Sequence, residues 1–515
     1  MVYNHKIAKI AVSTIIALAV LVSSCFYVWG GEYSCGFEGG IFAGEMPNKT
    51  LYDYKEMCFI SGKPIELIGT VRIQRTAKND YIDSTYNYRL ENIKENATLT
   101  RTVVIRTTIK KSENGQEILQ SALFRNPVER IKINNVDYTL RSYDISSTTI
   151  KDLKPAINYY AGNMWSRKVY NIGNNQGTVS VEATGSSYGY EQHWSLADSQ
   201  IINYTIKADT KRGSSSDKWG GTAAVKISTS STRRISYVEN KPSTSSFRGG
   251  YLEQQFNKST LNYEASLPEF DKNNISTDRM LKYSNSLKIE NFPSQERLPM
   301  ASINGIAGHW AEDQIRQVYS LGCFSVQPNN FSPQKLITRA EFISSLVNTV
   351  KEVPQNVLVK KTAARNATSR TTRAKAAIKS PFNDLTESNI YFNDINTAFQ
   401  KGMLGNVFTG FLQPQNDITR AQAAEIIVNA LGLYAIAPSP LAKTYFADDA
   451  SIPARSRDAI YVASKIGILK PDSSNRILPH AKLTMSDAAV LLNELIKFMR
   501  DDINREYVEK IVKYY

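Results

Sequence analysis

Two hydrophobic periods divide this chain. Before residue 240, runs rich in Val, Ile, Thr and Tyr alternate apolar with polar: Ile68 to Thr76, Ser84 to Ile93, Thr98 to Lys111, Gln200 to Ala208, Thr222 to Thr229 and Arg234 to Val238. Alternation of this kind predicts half-buried strands. Ile131 and Ile133, then Val136, Tyr138 and Leu140, flank Asn134-Asn135, a two-residue hairpin turn; Val169 to Ile172 and Thr178 to Val181 flank a second at Asn174 to Gly177. Short strands between turns predict an antiparallel sandwich or barrel. The Ser- and Gly-rich stretches Gly213 to Gly221 and Lys241 to Gly250 read as loops, and the polar stretch 272–299 reads as an interdomain linker.

Beyond residue 300 the period becomes helical and the pattern recurs. Trp310, Ala311, Ile315, Val318 and Tyr319 form an apolar face that stops at Gly322, as a helix closed by a left-handed residue would. Pro333 to Thr338, Pro414 to Thr419 and Pro479 to Thr484 share one step from proline to a branched residue and threonine, and Gly322, Gly402 and Gly467 precede them. Thr338-Arg339-Ala340-Glu341 and Thr419-Arg420-Ala421-Gln422 fit capping boxes; Thr484-Met485-Ser486-Asp487 keeps the cap and loses the arginine. Apolar runs follow each cap: Phe342, Leu346, Val350; Ile426, Ile427, Leu431; Val490, Leu491, Leu495, Met499. Each unit is helix, loop, helix, and repetition at this scale means stacked copies of one unit.

Gly308-His309-Trp310-Ala311, Phe331-Ser332-Pro333 and Ile337 to Glu341 together resemble an S-layer homology repeat. The second copy keeps Phe382, Asp384, Gly402, Pro414 and Ile418 to Gln422, and the third keeps Phe446, Asp448, Gly467 and Pro479. The resemblance covers roughly residues 300 to 500. It implies an all-α three-repeat bundle with pseudo-threefold symmetry that binds the anionic, often pyruvylated, secondary polysaccharide attached to peptidoglycan in Gram-positive bacteria. It also admits self-association in a surface layer. The polysaccharide-binding candidates are Arg339, Arg420, Trp310, Glu341, Gln422, Asp384 and Asp448. A helix N-terminus with free amides and an arginine one residue inside it would suit a carboxylate. Glu341 and Gln422 have capping as their simpler role. Arg339 and Arg420 oppose the macrodipole and so need another reason to be there. Trp310 reads either as core, the commoner fate of such a residue, or as a sugar platform.

The remaining chemistry is sparse. His5, Lys6 and Lys9 precede an apolar run from Ile10 to Val22, which predicts an export signal. Val22-Ser23-Ser24-Cys25 resembles a lipobox with Cys25 as the lipidated residue; alternatively the run continues through Trp29 as an uncleaved membrane helix. Cys35 and Cys58 are the pair that an oxidising exterior could join, and Cys323 reads as buried core. His309 and His480 lack metal-spaced partners, and neither a metal site nor a cofactor motif is found. His193 is alone in the β region, amid Tyr188, Tyr190, Glu191 and Trp194, which read as a strand with core aromatics before they read as a sugar platform.

The net charge of +14 is half local. Lys360, Lys361, Arg365, Arg370, Arg373, Lys375 and Lys379 lie between the first two repeats with no acid among them. Outside the cell their partner is an anionic wall polymer and not nucleic acid, or they form a solvated loop. The division is therefore a signal or anchor over 1–29, a β-rich domain over 30–271, a linker over 272–299, repeats over 300–351, 381–434 and 443–500, a basic insertion over 352–380 and a helical tail over 501–515. The expectation is a non-enzymatic, wall-anchored envelope protein displaying its β region. A glycosidase's paired carboxylates are defined only by distance in space, so a wall-retained polysaccharide hydrolase is the alternative.

Overall fold

The computed structural model describes residues 38–44, 49–78, 80–112, 115–212, 215–239, 249–351, 380–438 and 442–503. Cys25, Cys35, the signal or anchor segment and the basic insertion lie outside the described residues, as does the helical tail beyond Ile503. Among the described residues no helix is long and apolar enough to cross a membrane.

The β-rich region is one antiparallel sheet, not a two-sheet sandwich. Strands β1 (Leu51–Cys58), β2 (Ile65–Ala77), β3 (Tyr81–Asn92), β4 (Ala97–Lys111), β5 (Gln116–Leu123), β6 (Val128–Ile133), β7 (Val136–Leu153), β8 (Asn158–Ile172), β9 (Gly177–Glu191), β10 (Ser195–Arg212), β11 (Ser215–Val238), β12 (Gly250–Phe270) and β13 (Ser276–Glu290) pair largely in chain order. A short β14 (Ser294–Arg297) pairs with β12. β5 and β6 act as one interrupted strand, since β4 pairs with β6 through Ala97–Thr102 and with β5 through Ile105–Lys111. Pro127, which has no amide to give a ladder, stands at the interruption.

The sheet rolls so that β1 comes beside β13 and encloses a core with buried residues from every strand of that run but β5, whose half-buried Leu123 packs against it. β4 shows the cause: Ala97, Leu99, Val103 and Ile105 are buried, while Thr98, Thr100 and Thr102 face water. The seam between β1 and β13 is closed by residues 38–44. Ile41 exchanges two backbone bonds with Lys55 (2.7 and 3.0 Å), Phe42 O accepts from Ser259 Oγ (2.6 Å) and Ala43 O accepts from Asn291 Nδ2 (3.4 Å). The Asn134-Asn135 turn has φ of 47° and 67°, the paired left-handed geometry that a tight hairpin needs.

Two expectations are corrected here. The supposed linker 272–299 contains β13, whose Leu287 and Ile289 join the core while Thr277 to Met280 are exposed on both faces and so show no alternation. Gly213 to Gly221 is mostly the start of β11, in register with β10 as far as Arg212 opposite Ser215.

The C-terminal region is helical: α1 (Glu312–Ser320), α2 (Arg339–Val350), α3 (Phe392–Gln400), α4 (Arg420–Leu431), α5 (Arg457–Lys465) and α6 (Met485–Lys497). The short helices α1, α3 and α5 end alike. Gly322, Gly402 and Gly467 have φ of 66°, 77° and 79°, and the next amide reaches back at 2.9 Å from Cys323 to Val318 O, from Met403 to Ala398 O and from Ile468 to Ala463 O. The three copies close on one another through the backbone. Ile337 N–H donates to Leu483 O (3.0 Å), Leu483 N–H to Ile418 O (3.0 Å) and Ile418 N–H to Ile337 O (3.2 Å), all three side chains being buried.

The sheet is joined to this ring directly. Trp194 Nε1 donates to Thr349 O (3.0 Å) in the last turn of α2, and Ala156 N–H to Ala430 O (2.9 Å) in the last turn of α4. Ser195 Oγ donates to Met499 O (2.7 Å), which follows α6, and Gln192 Nε2 donates to the same carbonyl. Terminal helix carbonyls have no partner within their own helix, and here the sheet supplies one to α2 and one to α4, while on the third side it bonds a carbonyl of the π-helical turn Phe498–Asp502 that continues α6. Ile157, Tyr190, Trp194, Tyr251 and Leu298 share a continuous apolar core with the helices. Trp194 is therefore a buried joint residue, and the sugar-platform reading of that stretch is excluded.

Candidate functional site

The face opposite the joint carries the N-termini of α2, α4 and α6. Thr338 Oγ1 accepts from Glu341 N–H (3.3 Å) while Glu341 Oε2 accepts from Thr338 N–H (2.9 Å), and Thr419 with Gln422 repeats the exchange at 3.3 and 3.1 Å. Thr484 with Asp487 completes a third box, both bonds at 3.1 Å. Glu341 and Gln422 are thus engaged as caps.

The amides expected to be free for a carboxylate are occupied. Arg339 N–H donates to Asn416 O (2.8 Å), Arg420 N–H to Ala481 O (2.9 Å) and Met485 N–H to Lys335 O (2.8 Å). Ala340, Ala421 and Ser486 donate likewise to Pro414 O, Pro479 O and Pro333 O. The loop of the neighbouring repeat takes up the donors that each helix start leaves open.

The arginine side chains follow the same path. Arg339 Nη1 donates to Leu412 O (2.8 Å) and Gln413 Oε1 (3.1 Å), with its guanidinium 4.9 Å from the Phe408 ring centroid. Arg420 Nε donates to Ile477 O (2.7 Å) and Nη2 to Lys470 O (2.8 Å). Burial holds both guanidinium groups below their ordinary range. Each arginine therefore fastens the next repeat's loop, and their reason for opposing the macrodipole is in part structural. Met485, at the same place in the third copy, is fully buried.

Asp384 accepts from the amides of Leu412 (2.9 Å) and Gln413 (2.6 Å), and Asp448 from those of Ile477 (2.9 Å) and Leu478 (2.8 Å). Both aspartates shape the loop that the arginines grip. Trp310 is 66% exposed, so its commoner fate as core is corrected. It stands just before the N-cap of α1, where Ile390 (84% exposed) and Arg455 stand before α3 and α5. Sequence reasoning missed the last two because a residue ahead of the N-cap lies off the apolar stripe. Arg455 lies within electrostatic reach of Arg339 and 3.6 Å from Glu425. Among the described residues no group of His, Cys, Asp and Glu could hold a metal ion, and His480 contacts only Ser451 O (3.0 Å).

The rolled sheet holds a second cluster. Arg101 donates to Glu56 through Nη1 and Nη2 (2.8 and 2.9 Å) and through Nη2 to Glu129 Oε1 (2.8 Å), beside a cavity of about 60 Å³ also lined by Glu38, Cys58, Lys168, Tyr170 and Tyr204. That space is large enough for a few waters. Burial raises Glu56 despite Arg101; at Glu129 burial works the same way, yet Arg101 and Lys168 prevail and hold it down to about 2. Cys58 is a buried free thiol pushed up to about 12 by burial, and Cys323 is also buried and free.

The first two copies have a counterpart among known families. The S-layer homology domain matches residues 303–343 and 381–424. The C-terminal region carries S-layer homology repeats. Curated relatives share this part of the chain at low identity. Exoglucanase XynX of Acetivibrio thermocellus is 24% identical over 209 residues, 40% of this chain and 17% of its own. Amylopullulanase of Thermoanaerobacterium thermosulfurigenes is 23% identical over 198 residues, 38% of this chain and 10% of its own. The surface-layer 125 kDa protein of Lysinibacillus sphaericus is 22% identical over 209 residues, 40% and 16% respectively. The chain spans less than a fifth of the length of each. An S-layer homology domain implies association with the cell surface or cell wall, and the strands upstream match none of the family residues.

Proposed function

We propose that this is an exported envelope protein held non-covalently at the wall by its three S-layer homology repeats, which bind an anionic, pyruvylated secondary polysaccharide. The observation that carries the reading is the closed cycle of backbone bonds among Ile337, Ile418 and Leu483, which supports a pseudo-threefold bundle with a groove between each pair of copies. The grooves differ chemically. Arg455 is near Arg339, and the same step around the cycle puts Trp310 with Arg420 and Ile390 with Met485. The first groove then offers two cations, the second a cation and an indole, and the third only apolar groups. Arg339 and Arg420 keep guanidinium N–H groups beyond those bonded to the loops, which a sugar-borne carboxylate can accept. Self-association in a surface layer and a lipid or helix at the N-terminus belong to the same proposal.

Purified full-length protein is expected to sediment with wall sacculi and to remain in solution once acid has stripped the secondary polymer. Equal sedimentation with stripped peptidoglycan would remove the polymer as ligand.

A further inference from the structure

Inside the rolled sheet, the side chains around Lys168 stand in the relation that amide formation requires. Lys168 Nζ touches Glu38 Oε2 and lies 3.1 Å from Glu129 Oε2. The Tyr143 hydroxyl donates to Glu38 Oε1 (3.1 Å), and Arg101 Nη1 lies 3.3 Å from Glu38 Oε2. These side chains are largely shielded from solvent, with Lys168 11%, Glu38 3% and Glu129 0% exposed. We propose that Lys168 and Glu38 become joined by an intramolecular isopeptide bond, formed by the folded chain itself with Glu129 as the base.

The steps balance without any outside reagent. Transfer of one proton from the Lys168 ammonium to Glu129 discharges one of the two cations that hold that carboxyl low, and the freed Nζ lone pair attacks Glu38 Cδ to form the C–N bond. The negative charge that develops on the carboxyl group is met by the Tyr143 hydroxyl at Oε1 and by the neighbouring Arg101 cation at Oε2. On collapse a Cδ–O bond breaks and that oxygen leaves as water, carrying the proton held by Glu129 and a second from nitrogen. The third ammonium proton stays on the amide. An ammonium and a carboxylate thus become an amide and one water. In bulk water such a condensation is unfavourable, but fixed reactive groups have effective molarities of about 10⁵ M or more. Burial also penalises the separated charges that the amide removes.

The position of the bond gives it a purpose. Glu38 begins the segment that closes the seam between β1 and β13, where one bridge at Ile41 and two side-chain bonds replace a continuous ladder. Gly39 and Gly40 pass so close to Tyr204 and Tyr54 that a Cβ would collide with either ring, so the chain is threaded into the lumen to deliver Glu38. A covalent tie to β8 fastens the seam from within.

The test is the intact mass of the purified full-length protein, denatured and reduced, with its termini read from the same digest. One water less than the sequence mass, and a branched peptide joining the segments around Glu38 and Lys168, is the expected result. The full sequence mass with a linear Lys168 peptide would overturn the proposal and leave an ion pair. Because the mass is read on unfolded chains, the unsubstituted protein decides the matter whether or not variants fold. Lys168→Arg, which keeps the cation, should restore the missing water, and Glu129→Gln should do so wholly or slow its loss during storage. A water loss that persists in Lys168→Arg would also overturn the assignment.

Discussion

Thr338 shows what a single residue can disclose. A threonine three positions before a glutamate ahead of an apolar run specifies its own bonds, because every partner lies within one turn. Thr338→Ala is expected to cost about 1 kcal/mol of stability, measured by denaturant titration. The role of Arg339 and Arg420 was legible only in outline. Their opposition to the macrodipole called for a partner, but Leu412 and Ile477 are 73 and 57 positions away, and nothing local points to them. Trp310 was misjudged for a related reason, since its register with the helix face says nothing of the turn before the N-cap. His193, the lone histidine of the β region, acquires neighbours in the fold that perturb its ring. It packs edge-on to Trp194 at 4.9 Å, and burial, with Arg233 and Lys351 beside it, holds the imidazole well below its ordinary range. Folded His193 is neutral, whereas the unfolded residue gains a proton below about pH 6.5. Its contribution is therefore complete above that pH and is lost as pH falls toward the folded value. Thermal melts at about pH 7.5 and about pH 5 should show a smaller acid-side loss for His193→Gln than for the parent.

Among elements, helices were easier to read than strands at the margins of the sheet. The helix starts and stops carry threonine and glycine at fixed places, and the structure returns them. The strands with one wet face were equally plain. β13 was not, because its first half is exposed on both sides, and β11 was cut short because Ser and Gly at its start look like loop while pairing fully with β10. The arginine positions give an element-scale prediction. Since the third copy places buried Met485 where the others place arginine, replacing both Arg339 and Arg420 with methionine should preserve more thermal stability than replacing both with alanine. Both double variants should lose sedimentation with wall sacculi; retention by the methionine variant would separate the arginines from ligand binding. The basic insertion belongs to this scale too. Deleting residues 360–379 should leave the fold intact and weaken wall binding mainly at low salt, converging with the parent once the Debye length falls to about 8 Å. Overlapping salt titrations would make it an inert spacer.

The whole molecule departs most from the sequence reading. A domain displayed on a linker was expected, yet the sheet and the repeats share one core through Ile157, Tyr190 and Trp194. No periodicity could reveal this, because an apolar residue facing its own sheet and one facing a different module look alike in sequence. Calorimetry of the full chain is expected to show one cooperative transition, and residues 300–515 produced alone should unfold at a lower temperature and expose apolar surface. Two independent transitions would show that the joint is weak. The joint also governs how force passes through the protein. It engages Thr349 and Ala430 in the last turns of two long helices and Met499 in the π-helical turn that continues the third, in the manner of a tripod head. A pull on the sheet is divided among three legs anchored in three copies, and a twist about any one leg is resisted by the other two. Shear at the cell surface would thus load the wall contacts together instead of peeling them one after another, and the sheet would keep a fixed bearing on the wall while the load lasts.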